Sequence, residues 1–353
     1  MPEHHVFHHQ QEFRLESGAL LPGFQLAYTT YGTLNPQGSN VVWVCHALTG
    51  SADVTDWWGD LFGEGRLYDP REWFVVCANT LGGCYGSTGP LSVNPITLQP
   101  YFHTFPQFTN RDVVRAFDLL RQELELERVH TLLGGSLGGQ QALEWALLKP
   151  NVFERLVHVA SNARHSPWGV AFNESQRMAI RQDPSWGNST REAGKEGLKT
   201  ARAIAMLSYR HYNTYHLSQQ EPGHSITDSF RAASYQVYQG EKLANRFNAY
   251  TYWLLSKAMD AHNVGRDRGG VEKALAQLRA RCLFVGVDTD LLFPVEEQRF
   301  LHEQVPGSSF CLLRSNYGHD GFLVEVEQLT DAIQDFYQQE QVKQELNYEK
   351  QER

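Results

Sequence analysis

The sequence predicts an α/β chain with a mostly parallel central sheet, helices on both faces and an inserted helical lid. Three observations carry this. Short, continuously apolar runs at 40–46, 73–79 and 156–160 recur with helical patterns between them, as strands covered on both faces require. Such runs vanish between about 162 and 268, where helical periodicity takes over, and alternation resumes afterwards. The length of 353 residues suits one large α/β domain carrying an insertion of that size. The expected organisation is a core over 1–161 and 269–341, a lid over 162–268 and a frayed charged tail over 342–353.

Taken in order, the first stretch, 1–13, has no apolar centre and is not a secretory signal. With His4, His5, His8 and His9 it reads as a solvated, poorly ordered arm. Residues 25–33 alternate, with Leu26, Tyr28 and Thr30 against Gln25, Ala27 and Thr29, until Gly32 and Asn35-Pro36 break the strand. The 40–46 strand ends in His46-Ala47-Leu48-Thr49-Gly50, and the 73–79 strand runs into a glycine-rich loop over 81–90. That loop lacks the Lys-Ser/Thr ending of a phosphate-binding P-loop, so it reads as an irregular loop at a strand's C-terminal end, where it can line a site.

Thr109 with Asp112 three residues on marks a helix start, and Val113, Val114, Phe117, Leu120 and Leu124 share one helical face. A strand at 129–133 follows, then a helix that Pro150 stops. Inside the insertion, helices are expected over 175–181, 193–209, 226–233 and 244–261. The closing part reads as helix 271–280, strand 281–287, helix 294–304, strand 309–313 and helix 325–341.

Composition narrows the function. The net charge of −9 disfavours nucleic acid or an anionic membrane as partner, while leaving room for a local basic site that takes a small ligand. No stretch approaches the length of a membrane span. Five cysteines without a C-x-x-C argue against a disulfide framework or a zinc site; four lie in strand-like runs, which points to buried thiols in a reducing cytoplasm.

The chemistry gathers around Ser136. Gly134, Ser136 and Gly138 form G-x-S-x-G between an apolar strand and good helix formers, the pattern of the nucleophile elbow of the α/β-hydrolase fold. A serine hydroxyl needs a base, and the base needs an orienting acid, in the chain order Ser, Asp or Glu, His. Asp288 and Asp290 follow the 281–287 strand, and spacing does not choose between them. His319 follows the 309–313 strand. The oxyanion of acyl transfer calls for two backbone N–H donors: Leu137, after the nucleophile, and Leu48, in the loop after an early strand.

These residues together resemble the homoserine O-acetyltransferase family. The resemblance rests on 46–51, the glycine loop within 79–90, the string Gly134-Gly135-Ser136-Leu137-Gly138-Gly139-Gln140-Gln141-Ala142-Leu143-Glu144-Trp145-Ala146, and the motifs at 197–202, 238–242, 290–294 and 318–320. It implies a ping-pong reaction in which Ser136 takes an acetyl group from acetyl-CoA and passes it to the hydroxyl of L-homoserine, feeding methionine synthesis. It further implies His319 as base, Asp290 rather than Asp288 as orienting acid, Arg202 on the acceptor's carboxylate and Asp320 on its ammonium. Acyl-CoA is then a co-substrate, with no metal or bound cofactor, and the lid forms a homodimer.

The residues themselves add something for Arg202. It shares a helical face with Leu198, Ala205 and Met206, so it needs a partner: a bound carboxylate or, equally, a lid acid. Leu137 stands where methionine is frequent in the family. A succinyl donor, a serine acceptor and plain ester hydrolysis stay open as alternatives. Arg202 and Asp320, which together would read a zwitterion, favour the transferase.

Overall fold

The computed structural model describes residues 2–351 apart from 224–226 and 229, with side chains described to position 339. Among these, eight strands build one sheet: β1 (Glu3–His9), β2 (Phe24–Tyr31), β3 (Val41–Cys45), β4 (Phe74–Ala78), β5 (Val129–Gly135), β6 (Phe153–Val159), β7 (Arg281–Val287) and β8 (Ser309–Leu313). Their spatial order is β1-β2-β4-β3-β5-β6-β7-β8. The β1–β2 and β2–β4 pairs are antiparallel and the rest are parallel. Every residue of β3 is buried, which is why 40–46 has no polar face to alternate with.

The main helices are α1 (Asn110–Glu123), α2 (Leu137–Leu148), α3 (Pro167–Arg181), α4 (Lys195–Tyr209), α5 (Arg231–Ala244), α6 (Ala249–Asp260), α7 (Val295–Gln304) and α8 (Val326–Gln351). Helix α1 opens on a capping box: the Thr109 side chain accepts the Asp112 N–H, and the Asp112 carboxylate accepts the Thr109 N–H at 3.1 Å. On one side of the sheet Trp43 meets Trp145 edge to face at 4.9 Å, and Trp145 meets Phe153 at 4.9 Å. On the other side Val42 and Val44 share a core with Phe322, Leu329 and Ile333 of the C-terminal segments.

The arm at 1–13 is not loose: Glu3–His9 is an edge strand, with Val6 opposite Ala27. Its inward positions are His5, Phe7 and His9, and all three present flat rings to β2. His5 stacks on Tyr28 at 5.0 Å, and Phe7 and His9 lie 6.2 and 5.0 Å from Phe24. Histidine counted as polar hides this alternation. The added strand also covers the edge of β2.

The lid differs in its boundaries. Helix α3 begins at Pro167, because Ser166 accepts the Gly169 N–H and proline suits a first helical turn. The expected helix at 226–233 starts outside the described residues, and the helix found is Arg231–Ala244. Asn248 caps α6 through the Thr251 N–H, so 244–261 is not one helix. The short helix after the lid stops at Leu275 rather than 280. Helix α8 runs to Gln351, and the tail expected over 342–353 falls on residues whose side chains lie outside those described.

All five cysteines are free thiols. Among the described residues no helix is long and apolar enough to cross a membrane.

Strand register decides where the chemistry collects. Cys45 pairs with Gly134, Gly135 with Val159, Val159 with Val285, and Val287 with Leu313. Five parallel strands therefore end nearly level, and the loops after them share one sheet edge.

Candidate active site

Ser136 sits at φ 57° and ψ −125°, a conformation in which a side-chain residue is strained. Close approach enforces it. A Cβ on Gly138 would stand 2.0 Å from the Cys45 carbonyl oxygen, and one on Gly134 would stand 2.2 Å from that of Gly138. The turn is held from behind: the Ser136 N–H donates to the Val159 carbonyl at 3.0 Å, and the Ser136 carbonyl accepts from Ser161 Oγ at 2.7 Å.

The elbow presents Ser136 Oγ to His319 Nε2 at 2.8 Å. His319 Nδ1 lies 2.6 Å from Asp290 Oδ2. The other Asp290 oxygen accepts the N–H groups of Leu292 and Phe293 at 2.8 and 2.9 Å. An acceptor-only carboxylate assigns the proton to Nδ1 and leaves Nε2 free to accept from the serine. The imidazole is 3% exposed and lies between the rings of Phe293 and Phe322, at 5.2 and 5.4 Å. Burial pushes its pKa down, but the charge and hydrogen bond of Asp290, with the charge of Asp320, outweigh it and hold the pKa above the usual 6.5.

Asp288 takes another place. Its Oδ1 accepts the Ser315 N–H at 3.0 Å and its Oδ2 is 3.3 Å from Arg314, so it ties the end of β7 to the loop after β8.

The loop after β3 is fixed by His46. Its Nδ1 donates to the Ala47 carbonyl at 2.8 Å, and its Nε2 accepts the Thr80 N–H at 3.1 Å. Burial pushes its pKa down to about 4, so the ring is neutral. Asn79 Oδ1 accepts the Ala52 N–H at 2.8 Å, binding the same loop to the glycine-rich one. Leu48 is buried inside this clamp. Leu137 opens α2, where the first N–H groups have no carbonyl a turn earlier to accept them. The approach of Gly138 to Cys45 and His46 brings these two donor segments side by side.

The lid supplies the remaining groups. Arg202 Nε and Nη1 are shut off from solvent without a hydrogen-bond partner, and the guanidinium lies 5.1 Å from the centre of the Tyr209 ring. No lid acid pairs with it among the described residues. Tyr209 in turn faces His319, ring centres 5.8 Å apart. Asp320 is not empty-handed: its Oδ2 is 3.2 Å from Arg210 Nε.

Arg210 is a residue the sequence reading missed, although Leu198, Arg202, Met206 and Arg210 follow one another every four positions. The end of α4 reaches the catalytic loop because Gly318 leaves room: a Cβ there would meet the Arg210 carbonyl carbon at 2.9 Å. Arg246 was missed too. It donates from Nη1 to the Thr49 carbonyl at 2.8 Å and to the Tyr85 hydroxyl, latching the lid to the Leu48 loop.

Behind the elbow, Gln140 of α2 donates to Asn162 Oδ1 at 3.1 Å and approaches His165 Nδ1 at 3.2 Å. His158 and His262 lie in the same buried layer, and burial pushes these three imidazoles down to about 3 for His158 and His262 and about 4 for His165. Among the described residues, no three His, Cys, Asp or Glu side chains converge as a metal site.

The chain is similar to known proteins of the alpha/beta hydrolase fold. The model of the alpha/beta hydrolase fold matches residues 40–326. A homoserine O-acetyltransferase of Cyclobacterium marinum is 52% identical over 332 residues, 94% of this chain and 94% of its own. The crystal structure of homoserine O-acetyltransferase from Bacillus anthracis superposes with a TM-score of 0.88 at 25% identity, covering 95% of this chain and 97% of that one. A crystallised esterase superposes with a TM-score of 0.86 at 26% identity, covering 95% of this chain and all of its own.

Proposed function

We propose that this chain, which belongs to the homoserine O-acetyltransferase family of the alpha/beta hydrolase fold, moves an acetyl group from acetyl-CoA to the hydroxyl of L-homoserine. The product feeds methionine synthesis.

In the first half, His319 Nε2 takes the Ser136 proton as Oγ attacks the thioester carbonyl. The oxyanion draws on the Leu48 and Leu137 N–H groups. The C–S bond then breaks, and the CoA sulfur takes the proton back from His319. In the second half, the homoserine hydroxyl gives its proton to His319 and attacks the acetyl-serine ester. The tetrahedral intermediate collapses, and Ser136 Oγ leaves with the proton. Asp290 keeps the imidazole in the tautomer both halves need. Acetyl-CoA enters and free CoA leaves, so the donor is a co-substrate, and the chemistry calls for no metal or resident cofactor.

The Ser136–His319–Asp290 relay serves esterases equally well. The observation that carries the choice of acceptor is Arg202, whose guanidinium has two shielded nitrogens without partners beside Tyr209. A carboxylate is the strongest partner for such a guanidinium, and Asp320, next to the base, suits the ammonium of the same zwitterion. Incubation with acetyl-CoA, read by mass spectrometry, should add one acetyl group at Ser136. CoA release should then depend on homoserine, and equal release without an acceptor would make the protein a hydrolase.

The assembly and the compartment follow as part of the same reading. The lid exposes Trp168, Met178, Leu207, Leu217 and Val237 by half or more, which supports a homodimer formed there; sedimentation at two concentrations tests it. Five free thiols suit a reducing cytoplasm.

A further inference from the structure

We propose, on the acetyl-CoA reading above, that the cavity between the start of α4 and the α5–α6 turn is the subsite for the phosphate groups of coenzyme A. The cavity has a volume of about 200 Å³, room for phosphates but not for a whole nucleotide, and its walls include Cys84, Arg191, Lys195, Arg246 and Asn248. Three cations line it against one acid, Glu192. In a chain of net charge −9 that is a local reversal of sign.

The cations are available. Arg191 is exposed and has no ion-pair partner among the described residues. Lys195 pairs with Glu192 at 3.1 Å, but the side chains are 37% and 66% exposed, an ion pair that exchanges readily for a better anion. Arg246 uses Nη1 on the Thr49 carbonyl and the Tyr85 hydroxyl, so one wall of the cavity is continuous with the loop that carries Leu48.

The spacing fits the ligand. Helix α4 runs from Lys195 at the cavity to Tyr209 at His319, and fifteen residues span roughly 20 Å. That is the order of length of an extended pantetheine arm. With the thioester at Ser136, the arm would lie along α4, past Leu198, and bring the phosphates to Arg191 and Lys195. Guanidinium and ammonium groups are the side chains that hold phosphate oxygens most strongly.

The test compares acetyl-CoA with acetyl-pantetheine, which carries the same thioester and no phosphate. In the wild-type enzyme, added salt should raise the KM of acetyl-CoA and leave that of acetyl-pantetheine in place. In the double variant Arg191→Ala/Lys195→Ala, with its thermal midpoint checked against wild type, the KM for acetyl-CoA should rise about tenfold while acetyl-pantetheine kinetics hold. Arg246 is left intact because it also holds the Leu48 loop. If wild type uses acetyl-CoA but both donors respond alike to salt and to the double variant, the subsite is elsewhere. If wild type transfers acetyl from neither thioester, the acetyl-CoA reading itself falls.

Discussion

Arg202→Met separates function from stability. Methionine keeps much of the volume and removes the guanidinium. In the unliganded protein Nε and Nη1 are shielded without partners, and a buried unsatisfied polar group costs about 1–3 kcal/mol. The ring of Tyr209, 5.1 Å away, offsets about 0.5–2 kcal/mol of that. The side chain as a whole is half-buried, so the cost belongs at the low end. The balance predicts that Arg202→Met leaves stability unchanged or raises it by up to about 1 kcal/mol.

Catalysis should move the other way. Two charge-assisted hydrogen bonds to a carboxylate contribute about 1.5–3 kcal/mol each, so kcat/KM for homoserine should fall about 10²- to 10⁴-fold. Acetylation of Ser136 does not use the acceptor and should keep its rate. Urea denaturation, steady-state CoA release and the burst with p-nitrophenyl acetate measure the three quantities. A loss of stability beyond about 1 kcal/mol would show that Arg202 is a structural residue, and the account of the acceptor site would be withdrawn.

The remaining predictions concern the base, its neighbours and the elbow. Catalysis needs His319 neutral, and its pKa is raised above 6.5, so kcat/KM should fall as pH drops through a value above 6.5; a limb lying below 6.5 contradicts the assignment. Asp320→Asn removes a charge that raises this pKa, so the acid limb should shift to lower pH while the KM for homoserine climbs. Arg210→Met leaves Asp320 without its counter-charge and should move the same limb to higher pH, with Arg210→Lys restoring it; an unmoved limb in all variants refutes the coupling. Gly138→Ala places a Cβ 2.0 Å from the Cys45 carbonyl oxygen, so it should lower stability by at least about 1–3 kcal/mol and cut turnover, and a fully active variant would mean the turn relaxes freely.

Much of this site is legible in the sequence, and the reason is local. Gly134, Ser136 and Gly138 sit on one turn, and Thr109 and Asp112 on another, so their geometry is set within a few residues. Strand ends are legible too, because apolar runs stop where loops begin. The choice of Asp290 over Asp288 is different in kind. Both follow β7, and what separates them is whether the side chain meets His319 or the Ser315 N–H across the sheet edge. The family resemblance pointed to Asp290, while spacing did not.

What escaped the sequence depends on contacts between distant segments. Arg210 meets Asp320 because a lid helix ends against Gly318, and Arg246 meets Thr49 across 197 positions. The β1 strand escaped because its inward histidines act as flat rings against Tyr28 and Phe24.

The neutral histidines around the elbow make His319 spectroscopically conspicuous. Of the five buried imidazoles among the described residues, His46, His158, His165 and His262 are driven down to about 3–4, and His319 alone is driven up. Above pH 5 those four rings therefore stay neutral, and the ring of His319 is the one among them held toward its charged form. In an NMR titration above pH 5 the ring protons of those four should stay fixed while those of His319 move. The kinetic limb could then be matched to one nucleus, with no deconvolution of its buried neighbours.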